Sequence, residues 1–415
     1  MTPTELQKGA TTARPIELDA RDLAALGDSL PGPEPALAMP PPRSGRREPV
    51  RVCEPLLDGN EARYLSECIA SNWISSGGPF VDRFEAAFAR AVGASTGIAT
   101  SSGTTALHLA VAALGIGPGD EVVVPTFTMI ASANAVAYTG ATPVFADSEG
   151  AHWNLSPAAF EAAITPRTRA VVVVHTYGHP AEMDAILAIA RPRGIAVIED
   201  AAEAHGAQYR GRPVGSLGDI AAYSFYANKI VCTGEGGMLT TNDAGLGAVA
   251  RRLRDHAFSS ERHFWHEYRG FSYRMTNLQA AVGLAQTERL DEFVARKRAN
   301  RTRYDDALRS VPGLRLPDEA SDVLSVFWMY LILVTPDSGT TRDGLRAALA
   351  ARGIETRTAF VPLHLQPIYH ERWRDARFPI AEEVGRRGLY LPSGLGLSDA
   401  DIAFVASEVA RAVPG

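Results

Sequence analysis

Cysteine is scarce in this chain of 415 residues, and the three that occur, Cys53, Cys68 and Cys232, show neither metal-ligand nor disulfide spacing. A disulfide-stapled secreted domain is therefore not expected, and the composition fits the reducing cytoplasm. Long hydrophobic runs are also missing, because the valine run at 171–174 is far too short to span a membrane and predicts a buried strand. The N-terminus has no apolar core typical of a signal peptide.

Positive charge is not in excess either. The net charge of −6 and the isoelectric point near 6.0 argue against a nucleic-acid-binding protein. Residues 1–50 lack aromatic side chains and hold 9 of the 27 prolines. We therefore predict a disordered N-terminal extension there, with a short helix at 16–26.

Beyond residue 50, helical patterns starting near Glu61 alternate with short β-rich runs, which predicts an α/β fold. These runs lie at 121–124, 143–145, 170–174 and 196–198. A long helical pattern at 277–309 is expected to link a large domain, residues 51–310, to a smaller α+β domain, residues 311–415. The smaller domain is predicted to contain a strand at 325–334 and a final helix at 399–413.

Lys229 lies in the segment YSFYANKIVCTGEGG, between an aromatic, strand-like run and a glycine-rich turn. Enzymes that use pyridoxal phosphate (PLP) place their Schiff-base lysine just past a strand in this way. A loop lysine is more often a solvated surface charge, so this segment alone is only weak evidence for a cofactor-binding lysine.

The segment VIEDAAEAHG ends an apolar run with Asp200. The carboxyl end of a buried parallel strand faces the ligand-binding edge of an α/β sheet, and an anion there would keep the PLP ring nitrogen protonated. An acidic helix cap after a strand is the alternative interpretation.

The segment GIATSSGTTALHLAVAAL predicts a strand, a tight turn, and a helix that begins near Thr104. Unpaired N–H groups at that helix start, with the Thr104 and Thr105 hydroxyls, favour a phosphate. An ordinary Ser/Thr-capped helix is the alternative. The turn has no Walker lysine, which argues against a nucleoside triphosphate loop.

Aromatic, histidine and arginine residues crowd together at 263–283. Arg269 and Arg274 can pair with a carboxylate or phosphate, and Trp265 and Tyr268 can stack on a base or sugar. The same residue types are enriched at dimer interfaces, so both interpretations stay open.

In chain order, the motifs SSGTTALHLA, PTFTMIASANAV, VIEDAAEAHGA, YSFYANKIVCTGEGGM and GFSYRMTNLQAA resemble the DegT-type sugar aminotransferases. These are PLP enzymes of fold type I, like aspartate aminotransferase, with a mostly parallel central sheet in the large domain. The resemblance runs from about Pro55 to the C-terminus and is nearest to the perosamine synthase branch, which aminates a nucleotide-linked 4-keto-6-deoxy sugar. It implies a homodimer with shared active sites.

The same resemblance implies the cofactor contacts. Lys229 would carry the covalent link, and Asp200 would face the pyridine nitrogen. Gly103, Thr104 and Ser224 would hold the phosphate.

Three further cofactor positions depart from the family pattern. Glu203 stands where the family often has glutamine, near the phenolic oxygen, and two facing anions are unfavourable unless one is protonated. Met129 takes a ring-stacking position that is usually aromatic; a methionine can still pack on a ring, although Met129 and Phe127 could both be core. Ser272 replaces an asparagine that reaches the phosphate of the neighbouring subunit, and its shorter side chain would reach through water or not at all.

The C-terminal segment GIETRTAFVPLHLQPIYH supplies two more substrate-binding candidates beside Arg274 and Trp265. Arg357 can neutralise a donor carboxylate or a sugar-nucleotide phosphate, and His364 can orient a substrate group. Alternatively, both residues hold the smaller domain in place.

The presence of a lysine at position 229 favours transamination, since some sugar dehydratases of this fold carry histidine there. The resemblance implies L-glutamate as amino donor and a keto sugar as acceptor. A cyclitol, a sugar phosphate or another ketone of an antibiotic pathway are alternative acceptors. A non-catalytic PLP-binding sensor is the alternative from another functional class.

Overall fold

The computed structural model describes residues 49–259, 261–262 and 264–414. The predicted disordered extension and its helix at 16–26 lie outside the described residues, apart from the last two positions. Of these, Val50 is buried and donates a backbone hydrogen bond of 2.9 Å to Gly353. The packed part of the chain therefore includes the end of the segment assigned to the extension.

Helices and strands alternate along most of the chain. The helices are α1 Glu61–Ser71, α2 Pro79–Ala91, α3 Gly103–Ala113, α4 Ala131–Tyr138, α5 Pro157–Ala163, α6 Met183–Ala190, α7 Ala244–Arg254, α8 Asn277–Thr287, α9 Leu290–Leu308, α10 Arg342–Ala351, α11 Pro367–Trp373, α12 Pro379–Arg387 and α13 Asp399–Ala412. The strands are β1 Thr96–Thr100, β2 Glu121–Pro125, β3 Thr142–Ala146, β4 Thr168–Val174, β5 Ala196–Asp200, β6 Gln208–Tyr209, β7 Arg212–Pro213, β8 Ile220–Ser224, β9 Gly237–Thr241, β10 Leu314–Arg315, β11 Val323–Leu324, β12 Tyr330–Val334, β13 Arg357–Thr358 and β14 Gly388–Leu391.

The central sheet has seven strands in the order β1-β9-β8-β5-β4-β2-β3. Strand β9 pairs antiparallel with both of its neighbours, and the pairs from β8 to β3 are parallel. The valine-rich strands β2 and β4 are buried along nearly their whole length, as expected for a sheet covered on both faces. The predicted α/β fold with a mostly parallel sheet is confirmed.

Two smaller antiparallel sheets complete the described chain, one with the order β10-β12-β14-β13 and one with the order β11-β6-β7. The four-stranded sheet, with α9, α10 and α13, buries its own apolar cluster, which includes Tyr304, Ile332, Leu345 and Val405. The domain boundary at residue 310 stays a prediction.

Two sequence-based element predictions were wrong in extent. The single helix at 277–309 is divided between α8 and α9, because the backbone leaves the helical region at Arg289 (ψ 12°). Helix α8 packs on α1 and α2, whereas α9 packs on α13, so the two need different directions. The strand at 325–334 begins only at Tyr330, because Phe327 has a φ of +46° and interrupts the extended backbone.

Candidate active site

A cavity of about 380 Å³ opens beside the carboxyl ends of two neighbouring parallel strands. Strand β5 ends at Asp200 and strand β8 ends at Ser224, and both residues line the cavity. The loops that follow these strands add Glu203 and Lys229. This is the edge of a parallel α/β sheet where ligands bind, since the loops diverge there.

Lys229 is the basic side chain of this cavity. Its Nζ atom lies 3.9 Å from Oε1 of Glu203 and 3.7 Å from the ring centroid of Trp328. Burial lowers the pKa of Lys229, and the carboxyl groups of Glu203 and Asp200 oppose that shift. A lowered pKa makes the amine a better nucleophile near neutral pH.

Asp200 presents a buried carboxyl group to the same cavity. Ser132 Oγ donates a hydrogen bond of 2.7 Å to Oδ2, and the Ala202 N–H donates one of 3.2 Å to Oδ1. Burial raises the pKa of Asp200, and these two donors oppose the shift. A hydrogen-bonded carboxylate in this position can pair with a protonated ring nitrogen.

Glu203 differs from Asp200 in its electrostatics. Its Oε2 atom accepts a hydrogen bond of 2.7 Å from the Tyr177 N–H. Burial raises the pKa of Glu203 to about 7, against the opposing charge of Lys229. The side chain can therefore carry a proton near neutral pH, which removes the anion–anion conflict expected from the sequence. Its contact with the cofactor stays a prediction.

The start of helix α3 forms one end of the cavity. Ser102 caps the helix by accepting a hydrogen bond of 3.1 Å from the Thr105 N–H. Gly103, Thr104 and Ser224 line the cavity there, and a Cβ atom at Gly103 would lie only 2.7 Å from Cβ of Ser224. Helix N–H groups, hydroxyl groups and the space left by glycine suit a phosphate.

Met129 and Phe127, the two candidates in the PTFTM segment, differ in their exposure. Met129 is 54% exposed and lines the cavity. Phe127 is fully buried and packs against Phe360 with ring centroids 5.9 Å apart. Phe127 is therefore a core residue, and only Met129 lies where it can pack on a ring bound in the cavity.

Other predicted site residues lie outside this cavity in the described part of the subunit. Ser272 accepts a hydrogen bond of 3.1 Å from Arg274, which also pairs with Asp255. Trp265 is 51% exposed, with Arg262 stacked over its ring. The predicted cofactor role of Ser272 and the predicted substrate roles of Arg274 and Trp265 stay predictions.

The two C-terminal candidates also stand apart from the cavity. Arg357 forms an ion pair of 2.7 Å with Glu355. His364 is buried, and its Nδ1 atom lies 2.9 Å from Oγ1 of Thr126. Burial lowers the pKa of His364 to about 4, against the opposing charge of Glu382. These contacts favour the structural interpretation of both side chains, and their substrate roles stay predictions.

Three aromatic side chains that the sequence patterns did not predict also line the cavity, and we call them the aromatic wall: Trp328, Phe360 and Tyr390. The segment SVFWMYLILV is apolar throughout and predicts a continuous strand, so it does not mark Trp328 as a site residue. The sequence patterns also do not mark Asn228, next to the lysine. It lines the cavity, and its buried Oδ1 atom has no hydrogen-bond partner among the residues that the structure describes.

The described residues contain no cluster of three or more histidine, cysteine or acidic side chains placed to hold a metal ion. Within the same ranges, no helix combines the length and the apolar character needed to cross a membrane.

A buried amine of lowered pKa beyond the carboxyl ends of parallel strands, on a sheet of this order, is the arrangement of the PLP-dependent aminotransferases of fold type I. The chain belongs to the DegT/DnrJ/EryC1/StrS aminotransferase family, whose model matches residues 55–410. The family resemblance, the enzyme class and PLP as cofactor are thereby confirmed.

Individual relatives are similar to this protein over most of its length. A GDP-perosamine synthase of Caulobacter vibrioides is 50% identical over 355 residues, covering 85% of this chain and 95% of that protein. A GDP-perosamine synthase of Escherichia coli O157:H7 is 43% identical over 360 residues, covering 87% and 97%. The crystal structure of DesV from S. venezuelae, 39% identical, superposes with a TM-score of 0.80 and covers 85% of this chain and 94% of DesV.

Proposed function

We propose that this enzyme transfers an amino group from L-glutamate to a nucleotide-linked 4-keto-6-deoxy sugar, in the biosynthesis of an amino sugar. The observation that carries the proposal is the placement of Lys229 and Asp200 in one cavity at the ends of the parallel strands. The choice of sugar is supported by the 50% identity to a GDP-perosamine synthase across most of both chains. The three free cysteines support a cytoplasmic location.

The residues of the cavity fit PLP. The space at Gly103, with Thr104 and Ser224, would take the phosphate, because an added Cβ there would fill it. Asp200 would face the ring nitrogen, and Glu203 in its protonated form would donate a hydrogen bond to the phenolic oxygen. When bound, PLP supplies an electron sink for the carbanion formed at the donor's α-carbon.

Lys229 would act in two ways. Its amine would first hold the cofactor covalently. Once displaced by the amino donor, the same amine would move a proton from the donor's α-carbon, and later deliver one to the sugar carbon. Because burial lowers its pKa, Lys229 would release a bound proton more readily than an exposed lysine does.

We also propose a homodimer whose active sites use residues from both subunits. Exposed apolar side chains at the cavity mouth support this, including Met129 at 54% and Tyr226 at 49%. Mixing Lys229→Ala with Arg274→Ala subunits tests it. If Arg274 serves the neighbouring site, exchange should restore roughly a quarter of wild-type activity, because half the dimers hold one intact site. Two independent sites would give no recovery.

The enzymatic proposal is tested by the visible spectrum of full-length protein with PLP, before and after L-glutamate, in wild type and Lys229→Ala. A cofactor band that changes with glutamate only in the lysine-bearing protein supports the donor step. Borohydride reduction should attach PLP permanently to Lys229, and peptide mass analysis should locate it there. Lys8→Ala serves as the matched control.

Acceptor choice needs its own assay. Formation of 2-oxoglutarate should depend on a GDP-linked 4-keto-6-deoxy sugar, and be slower with a dTDP-linked sugar, a cyclitol ketone or a sugar phosphate. Preference for either of the last two would replace the proposed acceptor. Normal PLP binding without turnover of any of them would support the sensor instead.

A further inference from the structure

Lysine is rare in this chain, since only three of its 41 basic residues are lysines: Lys8, Lys229 and Lys297. Lys8 lies outside the described residues. Lys229 and Lys297 both have little exposure, and both contact the same residue, Trp328. Lys229 contacts its ring and Lys297 its backbone. The second lysine has no part in the proposed reaction, so its position needs an explanation.

Lys297 extends from helix α9 into the interior and is 2% exposed. Its Nζ atom donates a hydrogen bond of 2.8 Å to the Trp328 carbonyl and another to the Ser393 carbonyl. In the part of the chain that the structure describes, no carboxylate forms an ion pair with it. A buried ammonium held only by carbonyl oxygens is costly, and a methionine would fill the same volume without that cost.

Trp328 is held at three points. Its N–H donates a hydrogen bond of 2.9 Å to the Tyr177 carbonyl, and its indole Nε1–H donates one of 2.7 Å to the Asn228 carbonyl. Lys297 holds the third point, the Trp328 carbonyl. These ties matter because Phe327, the preceding residue, has a φ of +46°, a conformation uncommon outside glycine.

The result of these ties is an indole face 3.7 Å from Nζ of Lys229. Four titratable groups also act on that amine. They are Glu203, Asp200, Cys53 and His205. An indole face attracts the ammonium form of the amine, and so opposes the effect of burial without adding a negative charge.

We propose that Lys297 is a positioning residue that acts through Trp328: by holding the Trp328 carbonyl, it fixes the indole face against which the free amine of Lys229 rests. This inference rests on the proposed role of Lys229. It assigns to Lys297 no contact with substrate or cofactor. It also accounts for the presence of a buried lysine at this position, because its compact ammonium reaches two carbonyl groups at once.

The first test uses full-length protein without added cofactor. Competitive labelling with acetic anhydride across pH, read by peptide mass analysis, gives the titration midpoint of Lys229. Lys297→Met keeps the length of the side chain and removes its donors, and we expect the Lys229 midpoint to fall by about 0.5–1 pH unit. Trp328→Leu, which leaves the Lys297 amine in place, should give the same fall.

The second test uses the PLP-loaded enzyme. In Lys297→Met we expect the rate constant of the glutamate half-reaction to fall about 10-fold with little change in the half-saturating glutamate concentration. Lys297→Gln, which restores an N–H donor, should recover part of this loss. The thermal midpoint is recorded for every variant, so that lost stability is measured separately.

Unchanged Lys229 midpoints in Lys297→Met and Trp328→Leu would overturn the inference, whatever their thermal stability. A midpoint that falls only in Trp328→Leu would also overturn it, because Lys297 would then support the fold alone. The labelling test needs no cofactor, so it is separate from the proposed function. That proposal fails if borohydride fixes no PLP on Lys229 of the wild-type enzyme.

Discussion

Ser132 donates a hydrogen bond of 2.7 Å to Oδ2 of Asp200, which joins the first turn of helix α4 to the last residue of strand β5. Burial raises the pKa of Asp200, and this hydrogen bond lowers it. Ser132→Ala should therefore raise that pKa and weaken the pairing of Asp200 with the ring nitrogen. We expect kcat to fall about 10-fold, the effect of losing one hydrogen bond to a charged group.

The measurement is steady-state kcat for amino transfer, with the thermal midpoint recorded in parallel. Ser398→Ala is a suitable control, because Ser398 caps helix α13 and is not among the residues that line the cavity. The control should lose stability without losing kcat. An unchanged kcat in Ser132→Ala would mean that Asp200 does not depend on this donor.

Asp200→Asn tests the carboxylate itself. The amide keeps the shape of the side chain but cannot hold a proton on the ring nitrogen by charge. We expect PLP to bind with little loss, while kcat falls about 10²–10³-fold, as when a preorganised electrostatic contact is removed. PLP affinity from absorbance titration and kcat are compared in one preparation, and near-normal kcat would contradict the assigned role.

Gly103→Ala tests the phosphate end of the cavity. The new Cβ would lie 2.7 Å from Cβ of Ser224, so helix α3 or strand β8 would have to shift. We expect the dissociation constant of PLP to rise about 5- to 150-fold, since overpacking costs roughly 1–3 kcal/mol. At Gly396 a Cβ would meet no atom of the described residues within 4 Å, so Gly396→Ala is the matched control. Equal PLP affinity in both variants would place the phosphate elsewhere.

Much of the fold followed from local patterns. The valine-rich runs gave the parallel strands, because strands buried on both faces are apolar along their length. The motif around Ser102 gave the start of helix α3, because its cap is a local interaction with Thr105. Patterns of this kind depend on neighbours in sequence, so one chain suffices to recognise them.

The aromatic wall could not be predicted in the same way. Trp328 reaches the cavity because Tyr177 and Asn228, both more than 90 residues earlier, hold it there, and because Phe327 leaves the extended conformation. Similarly, His364 has the residue type expected to orient a substrate group, but its contact with Thr126, 238 residues earlier, is set by the folded chain. Such positions depend on contacts between segments that are distant in sequence, and the spacing of hydrophobic residues does not predict those contacts.

Glu203 should make the free energy of unfolding depend on pH. Burial raises its pKa from 4.5 to about 7, so the folded protein binds this proton more tightly than the unfolded chain. The stabilising effect is complete below pH 4.5 and is lost as the pH rises towards 7. In full-length protein without cofactor, Glu203→Gln should remove this loss, because its amide does not ionise.

The measurement is the free energy of unfolding by denaturant at pH 5 and at pH 8, in wild type and Glu203→Gln. The variant should gain stability relative to wild type by on the order of 2–3 kcal/mol between the two pH values. The other titrating groups are common to both proteins and largely cancel, although Lys229, 3.9 Å from Glu203, keeps part of its coupling. Parallel stability profiles would mean that Glu203 is ionised throughout this range, and its proposed hydrogen bond to the phenolic oxygen would then have no proton to donate.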